Sequence, residues 1–360
     1  MALKCGIIGL SGTGKTTLFN SISKSRIQED AAKTTHLGQI DVPDPRLDLL
    51  SSIINPAKVI YTTVEIVDIP GLLKGGGQVK GGNQFLTDIR QTDAIIHVLR
   101  SFDSDIVPHI EGSVDPVRDK EIIDLELVAK DLETLEKKMQ KVEKLVKVGD
   151  KDAKLEYEIL GKVKDHFENG EPARSLAIEE KYKKYVDDCF FLSIKPVLYV
   201  CNVDEASAAN GNKYSQKVTE ALNSENASIL IIAAQAESDI AELDNLQDRK
   251  EFLNDLGLDE PGVNKLLRAA YELLNLKTFF TAGPKEARAW TIKEGMTAPQ
   301  AAGVIHSDLE RGFIRAEVMK YNDIIELGSE QACKNAGKYY VEGKNYIVKD
   351  ADILNIRFNV

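Results

Sequence analysis

Apolar positions along the chain change their spacing several times, and each change predicts an element. "LKCGII" near the amino end and the run Val64 to Val67 have the density of short buried strands, and helix-like "KTTLFNSISK" follows the first of them. From about Lys120 the texture changes. Leu125, Val128, Leu132, Leu135, Met139, Val142 and Val146 recur three and four residues apart between charged faces, "VGDKD" makes a turn, and Ile159, Val163 and Phe167 mark a returning helix. This interval predicts an antiparallel helical hairpin that leaves one domain and rejoins it near Lys183. Residues 187 to 276 return to strands alternating with helices: "FFLSIKPVLYVCN" and "ASILIIAAQAE" as strands, "GVNKLLRAAYELLN" as a helix. Such alternation implies a mostly parallel sheet with ligand loops at the carboxyl ends of its strands. After Leu276, "TFFTAGPKEARAWTI" begins short strands, "TAPQAAGVIHSDLERGF" reads as a helix and "YIVKDADILNIRFNV" as a closing strand pair.

The expected organisation is therefore a nucleotide-binding domain in two parts, 1–120 and 187–276, a helical hairpin inserted at 121–186, and a small β-rich module at 277–360. A length of 360 residues, 43% hydrophobic and 29% charged, is enough to bury a sizeable core. The formal net charge of -11 argues against nonspecific coating of nucleic acid, because an acidic field repels phosphate. Cys5, Cys189, Cys201 and Cys333 are scattered without a CxxC, so neither a zinc site nor a disulfide framework is suggested and reduced structural thiols are expected. No stretch approaches the length of apolar chain that a membrane span requires, and a cytoplasmic protein is expected.

The chemistry concentrates at strand ends. Gly9 to Thr16 fits G-x-x-x-x-G-K-[ST], and it sits between a strand and a helix, as a phosphate loop must. Gly12 and Gly14 let backbone N–H groups of the run Ser11, Thr13 and Thr17 curl around phosphates, the helix N-terminus adds a favourable dipole, Lys15 bridges β- and γ-phosphate oxygens, and the Thr16 hydroxyl ligates Mg²⁺. A second element, "VDIPGL", places Asp68 at a strand end about fifty residues beyond Lys15. In D-x-x-G switch proteins the Asp reaches Mg²⁺ through water and the Gly N–H, here Gly71, contacts the γ-phosphate. Between the two, Thr34 and Thr35 offer a hydroxyl to close over the metal, although adjacent threonines before a strand are also good β formers. Thr35 is the residue carried forward as that ligand.

Leu72 stands where many GTPases have a water-orienting glutamine, and an aliphatic side chain cannot polarise water. Replacements are His109, in a loop, and His97, whose apolar strand favours a packed core imidazole. Backbone groups of "KGGGQVKGGN" are a third source.

"NVDE", Asn202 to Glu205, follows the strand "KPVLYV" where a guanine-nucleotide switch carries Asn-Lys-x-Asp. In that motif the carboxylate accepts from two guanine N–H donors and the Lys stem covers the base. Val203 and Glu205 replace those two residues, so guanine selectivity should weaken or vanish, with Ala234 and Gln235 at the next strand end able to meet the base.

These motifs resemble the YchF-type ATPases, in the Obg-related branch of the translation-factor GTPases: "GIIGLSGTGKTTLFN", "VPDPRL", "VEIVDIPGLLKG", "GNQFLTDIRQTDAIIHVLR", "KPVLYVCNVDE" and "TFFTAGPKEARAWTIKEGMTAPQAAGVIHSDLERGFIRAEV" span nearly the whole chain. The resemblance implies a P-loop NTPase domain, an inserted coiled-coil hairpin and a C-terminal TGS domain. It implies that the chain binds and hydrolyses ATP in preference to GTP with Mg²⁺ as cofactor, uses an N-x-x-E base loop, and associates with ribosomes. It also implies a loop histidine in hydrolysis, which His109 matches, and a hydrophobic residue at the glutamine position, which Leu72 matches. The phosphate loop "SGTGKTT" departs from the family's usual P-N-V-G-K-S-T, the segment "AAKTTHLG" is shortened, and "GGGQVKGGN" replaces G-x-G-L-G-N.

Nine lysines against five acidic residues between Lys137 and Lys164 make the hairpin's outer end locally basic, either a solvated face or a contact to rRNA phosphate on the large subunit. Trp290 reads as a core anchor rather than a base-stacking platform, and His306, in the C-terminal helix, as surface or packing. A slow ATPase acting as a monomeric conformational switch is the leading expectation. A GTPase of ribosome function and a nucleotide-gated adaptor without significant hydrolysis are the alternatives.

Overall fold

The computed structural model describes residues 4–23, 36–70, 82–225 and 227–359. In chain order the first elements are β1 (Lys4–Ile8), α1 (Lys15–Ser23), β2 (His36–Val42), α2 (Pro45–Ile54), β3 (Val59–Ile60), β4 (Thr62–Asp68), α3 (Gly82–Arg90) and β5 (Ala94–Arg100). The hairpin helices α4 (Pro116–Lys147) and α5 (Lys151–Glu168) follow, then α6 (Lys183–Asp187), β6 (Val197–Asn202), α7 (Lys213–Leu222), β7 (Ser228–Ile232), α8 (Ala234–Glu242), α9 (Leu246–Asp255) and α10 (Gly262–Leu273). The chain closes with β8 (Leu276–Ala282), β9 (Ala287–Lys293), α11 (Ala298–Ile305), α12 (Ser307–Arg311), β10 (Phe313–Lys320), α13 (Tyr321–Leu327), α14 (Glu330–Asn335), β11 (Tyr340–Glu342) and β12 (Asp352–Phe358).

The described residues fall into two compact units, one from 1–38 with 65–266 and one from 39–64 with 267–360. In the first, the strand pairs β4-β1, β1-β5, β5-β6 and β6-β7 run parallel, as expected of a P-loop domain. Cys5 of β1 lies between Ile66 and Ala94, and Arg100 at the end of β5 pairs with Asn202 at the end of β6. β5 and β6 are buried at every position, which only a strand covered on both faces can sustain. Ile8, Val67, Phe85, Ile89, Ile95, Leu99, Ile123, Leu127, Tyr199 and Val218 fill one layer beneath α3, α4 and α7.

The hairpin is an inserted pair of helices, as the heptad seam predicts. Asp115 caps α4 by accepting from the Arg118 N–H at 3.3 Å, with Pro116 in the first turn, and Asp150 caps α5 by accepting from Asp152 and Ala153. Val128, Leu135 and Val142 meet Ala153, Leu160, Val163 and Phe167 in its core, with Leu132, Met139 and Val146 half-buried beside them. Leu125 is a correction: it is 53% exposed, because at the hairpin root α4 turns Ile123 and Leu127 to the sheet instead. There the Asp131 carboxylate accepts from the Leu192 N–H at 2.7 Å and from the Ser193 N–H and hydroxyl at 2.8 and 2.6 Å.

The second unit is a β-rich TGS-type domain whose sheet has the order β11-β10-β12-β8-β9-β3. Residues 39–64, which the sequence places in the nucleotide-binding domain, belong here: β3 pairs with β9, and Leu47 and Leu50 of α2 pack on Phe280, Ala287, Met319 and Ile353. An amphipathic helix does not encode which sheet will cover it. The expected single helix near residue 305 is two, because His306 is extended (φ -162°) and ends α11 while its Nδ1 accepts from the Asp308 N–H to cap α12. The expected closing strand pair is one strand, β12, bonded to β10 on one side and β8 on the other. Trp290 is the core anchor expected: its indole N–H donates to the Thr281 hydroxyl at 2.9 Å and its ring stacks near Phe279. All four cysteines are buried free thiols, and among the described residues no helix is long and apolar enough to cross a membrane.

Candidate nucleotide-binding site

β1 ends at Ile8, and the chain curls through Gly9–Gly14 before α1 begins at Lys15. Gly12 (φ 76°) and Gly14 (φ 88°) hold left-handed conformations open to glycine. Gly14 is doubly constrained, since a Cβ there would fall 2.2 Å from Asn202 Nδ2. Lys15, only 7% exposed, donates from Nζ to the Leu10 carbonyl at 2.7 Å, and the buried Thr13 hydroxyl donates to the same oxygen at 3.1 Å. Thr13 therefore shapes the loop with its side chain, leaving phosphate contact to its backbone. Burial pulls the Lys15 ammonium down to about 8, against the opposing charge of Asp68. The Thr16 hydroxyl donates to Asp68 Oδ2 at 3.2 Å, so the two metal-ligand candidates from β4 and α1 stand together. Ser11 and Thr17 lie half-buried on either side of this cradle. Thr34, Thr35, Gly71 and Leu72 lie outside the described residues.

Asn202 is 5% exposed and joins two loops. Its Nδ2 donates to the Thr13 carbonyl at 2.8 Å and its Oδ1 accepts from the Ala234 N–H at 2.9 Å. Val203 turns inward onto Ala208, Ala233 and Ala236 rather than outward over a base. Asp204 is spent on structure, its Oδ1 accepting from the Ser207 N–H at 3.1 Å and the Ser207 hydroxyl at 2.9 Å. Glu205 is exposed, as Asp204 beside it is, and Gln235, in the first turn of α8, donates to Asp239 Oδ1 at 3.0 Å.

The two histidines separate as their neighbourhoods predict. His97 is 1% exposed beside Tyr199, and burial drives its imidazole to about 3, so it is neutral in the core. His109 sits in the loop after β5 with Nε2 2.8 Å from Asp119 Oδ2, while its Nδ1 accepts from the Glu111 N–H at 3.1 Å. That pair of bonds puts the proton on Nε2, donating to Asp119. Asp119, on the first turn of α4, also accepts from the Arg118 guanidinium at 2.9 Å. His109 is thus docked against α4 in this conformation.

Two residues of the site escape a motif search. Asp119 carries no motif. Arg100 does leave a trace, a charged residue closing the seven-residue buried strand "AIIHVLR". Its Nε donates to the Phe102 carbonyl at 3.2 Å and its Nη2 to the Val107 carbonyl at 2.8 Å.

Lys15 sets a pH dependence. With its proton affinity lowered to about 8, the side chain is cationic below that value and loses its charge as pH rises through it, whereas a phosphate anion favours the cation. Calorimetric titration with a nucleoside triphosphate should therefore give flat affinity up to about pH 8 and a loss approaching tenfold per pH unit above it. Lys15→Met should bind weakly and without that slope. Wild-type affinity that stays level to about pH 9.5 would contradict the assignment.

A family model described as 50S ribosome-binding GTPase matches residues 4–147, and YchF-GTPase_C, described as a protein of unknown function, matches residues 276–359. The chain is 46% identical to the Ribosome-binding ATPase YchF of Bacillus subtilis (strain 168) and 47% identical to that of Escherichia coli O157:H7, covering 100% of both chains in each case. The solved structure of the Schizosaccharomyces pombe YchF GTPase superimposes with a TM-score of 0.87 at 33% identity, over 99% of this chain and 97% of that one. A phosphate loop, a Thr16–Asp68 pair, an N-x-x-E base loop and this full-length similarity all converge, and the chain belongs to the YchF family.

Proposed function

We propose that this chain is a ribosome-associated P-loop ATPase of the cytoplasm, which binds ATP with Mg²⁺, hydrolyses it slowly to ADP and phosphate, and changes conformation with the state of the nucleotide. The observation that carries the choice of base is the loop after β6. Val203 is packed inward and the exposed Asp204 carboxylate is engaged in capping Ser207, which leaves the longer, equally exposed Glu205 carboxylate to read a base edge. The short carboxylate and the lysine stem that hold guanine are both missing, and a site lacking the partner of a buried polar edge loses about 1–3 kcal/mol for that base. Adenine loses no such partner, and its exocyclic amino group can donate to a carboxylate. The bacterial relatives are named ATPases and the yeast relative a GTPase, which makes both nucleotides the proper comparison.

The residues divide the remaining work. Ser11 to Thr17 enclose the phosphates, and Lys15 supplies the cation. A hydroxyl and a carboxylate 3.2 Å apart, Thr16 and Asp68, suit a hard oxygen-seeking cation that keeps several waters, and Thr35 and Gly71 would complete the set. Mg²⁺ bound there would neutralise charge on the phosphate oxygens. His109 acts in hydrolysis after the loop at 101–115 carries it from Asp119, and this required movement accounts for slow turnover. The exposed lysines 137, 141, 144, 151, 154 and 162 of the hairpin supply a cationic face for rRNA, although Lys138 and Lys147 are committed to Glu156 and Glu143. The division into a two-part nucleotide domain, hairpin and TGS module assigns catalysis to the first and docking to the other two.

Titration calorimetry with Mg²⁺ should give ATP an affinity about tenfold or more above GTP. GTP binding tighter by that factor would defeat the ATP reading. Single-turnover hydrolysis should fall by about 10²-fold or more in His109→Ala with ATP affinity retained. Equal rates in variant and wild type would remove His109 from the reaction.

A further inference from the structure

Arg100 is among the largest fully buried side chains of the protein, 1% exposed at the carboxyl end of β5. Its guanidinium is fixed on one side: Nε and Nη2 donate to the carbonyls of Phe102 and Val107, and the plane lies over the Phe102 ring at 4.7 Å. Its other terminal nitrogen, Nη1, is buried and has no hydrogen-bond partner among the described residues. A guanidinium has five N–H donors, and leaving a charged donor dry and unpaired is among the more expensive things a fold can do. The same nitrogen faces the phosphate loop. A Cβ built on Gly12 would stand 3.9 Å from Nη1 and 3.2 Å from Val107 Cγ1, so Arg100 and the loop it holds lie directly against the exposed Gly12 turn.

We propose that Arg100 is a phosphate ligand of the bound nucleotide, donating from Nη1 to a phosphate oxygen on the Gly12 side of the cradle while Nε and Nη2 hold the loop that carries His109. This deepens the nucleotide reading above and rests on it. An anion at Gly12 gives the unpaired nitrogen the partner it lacks, and it adds a fixed cation opposite Lys15, so the phosphates would be gripped from both walls. Because one planar group bonds both the phosphate and the carbonyls at 102 and 107, a change at the phosphate is felt directly by the backbone two residues before His109. Burial also lowers the proton affinity of this guanidinium, as expected of a cation kept for an anionic visitor, yet it remains far above neutrality and charged.

The test compares wild type, Arg100→Met and Arg100→Lys by calorimetry with Mg²⁺·ATP and with adenosine, which has no phosphate. Wild type is expected to bind ATP, Arg100→Met to bind it about 10- to 100-fold more weakly, and Arg100→Lys to recover part of the loss, with adenosine affinity constant within about twofold in all three. Wild-type affinity for ATP in folded Arg100→Met overturns the inference and leaves the nucleotide reading standing. An equal loss for adenosine and ATP also overturns it, since that is the mark of a merely structural residue. Failure of wild type to bind ATP at all overturns the reading beneath it. Should Arg100→Met not fold, a crystal structure of wild type with a non-hydrolysable ATP analogue decides: Nη1 within about 3.2 Å of a phosphate oxygen supports the assignment, and separation beyond about 4 Å from every phosphate oxygen refutes it.

Discussion

One buried amide holds the nucleotide end of the P-loop unit together. Asn202 donates to the Thr13 carbonyl and accepts from the Ala234 N–H, linking the phosphate loop to the start of α8 across the ends of β1, β5, β6 and β7. Its approach is so close that residue 14 can only be glycine. Because Arg100 and Asn202 are register partners on β5 and β6, their side chains emerge on the same face of the sheet, one beneath Gly12 and one beneath Gly14. Two polar groups at the ends of neighbouring buried strands thus set the shape of the cradle from below, and Ser101 N–H bonded to the Asn202 carbonyl at 2.8 Å locks their relative height.

The electrostatics follow from what each buried nitrogen can reach. His97 sits in apolar surroundings beside Tyr199 and gives up its proton, so it serves packing. Lys15 is equally dry, but the Leu10 carbonyl and the Asp68 carboxylate keep its ammonium near the edge of ionisation at neutral pH. Desolvation weakens a cation by itself and strengthens its pull on any anion that enters, because little water screens the pair. His109, by contrast, is bonded through both ring nitrogens, to Asp119 and to the Glu111 N–H.

Much of this was legible in the sequence. The β1–loop–α1 order, Asp68 at the end of β4, the N-x-x-E loop and the hairpin seam all rest on local spacing, and local spacing survives folding. What escaped depends on long-range choice. The apolar positions of α2 are the same whichever sheet covers them, so residues 39–64 could not be assigned to the C-terminal sheet by pattern alone. Leu125 keeps the heptad phase but lies where α4 passes from its partner helix to the sheet, and the phase says nothing of that handover. His306 broke one expected helix into two because its ring could cap the second. Asp119 belongs to no motif, and Arg100, though it closes the stretch "GNQFLTDIRQTDAIIHVLR", bonds to backbone carbonyls that its spacing does not reveal.

The claim on which the rest depends is that the Asn202 amide shapes the phosphate cradle. It is tested most directly by titrating Mg²⁺·ATP into folded Asn202→Ala beside wild type. Losing both buried hydrogen bonds at once should weaken ATP binding by at least about tenfold, since each contributes on the order of 1 kcal/mol and leaves a stranded partner. A folded variant with wild-type affinity would mean that the phosphate loop keeps its form without this clamp, and the structural explanation given for the site would be wrong.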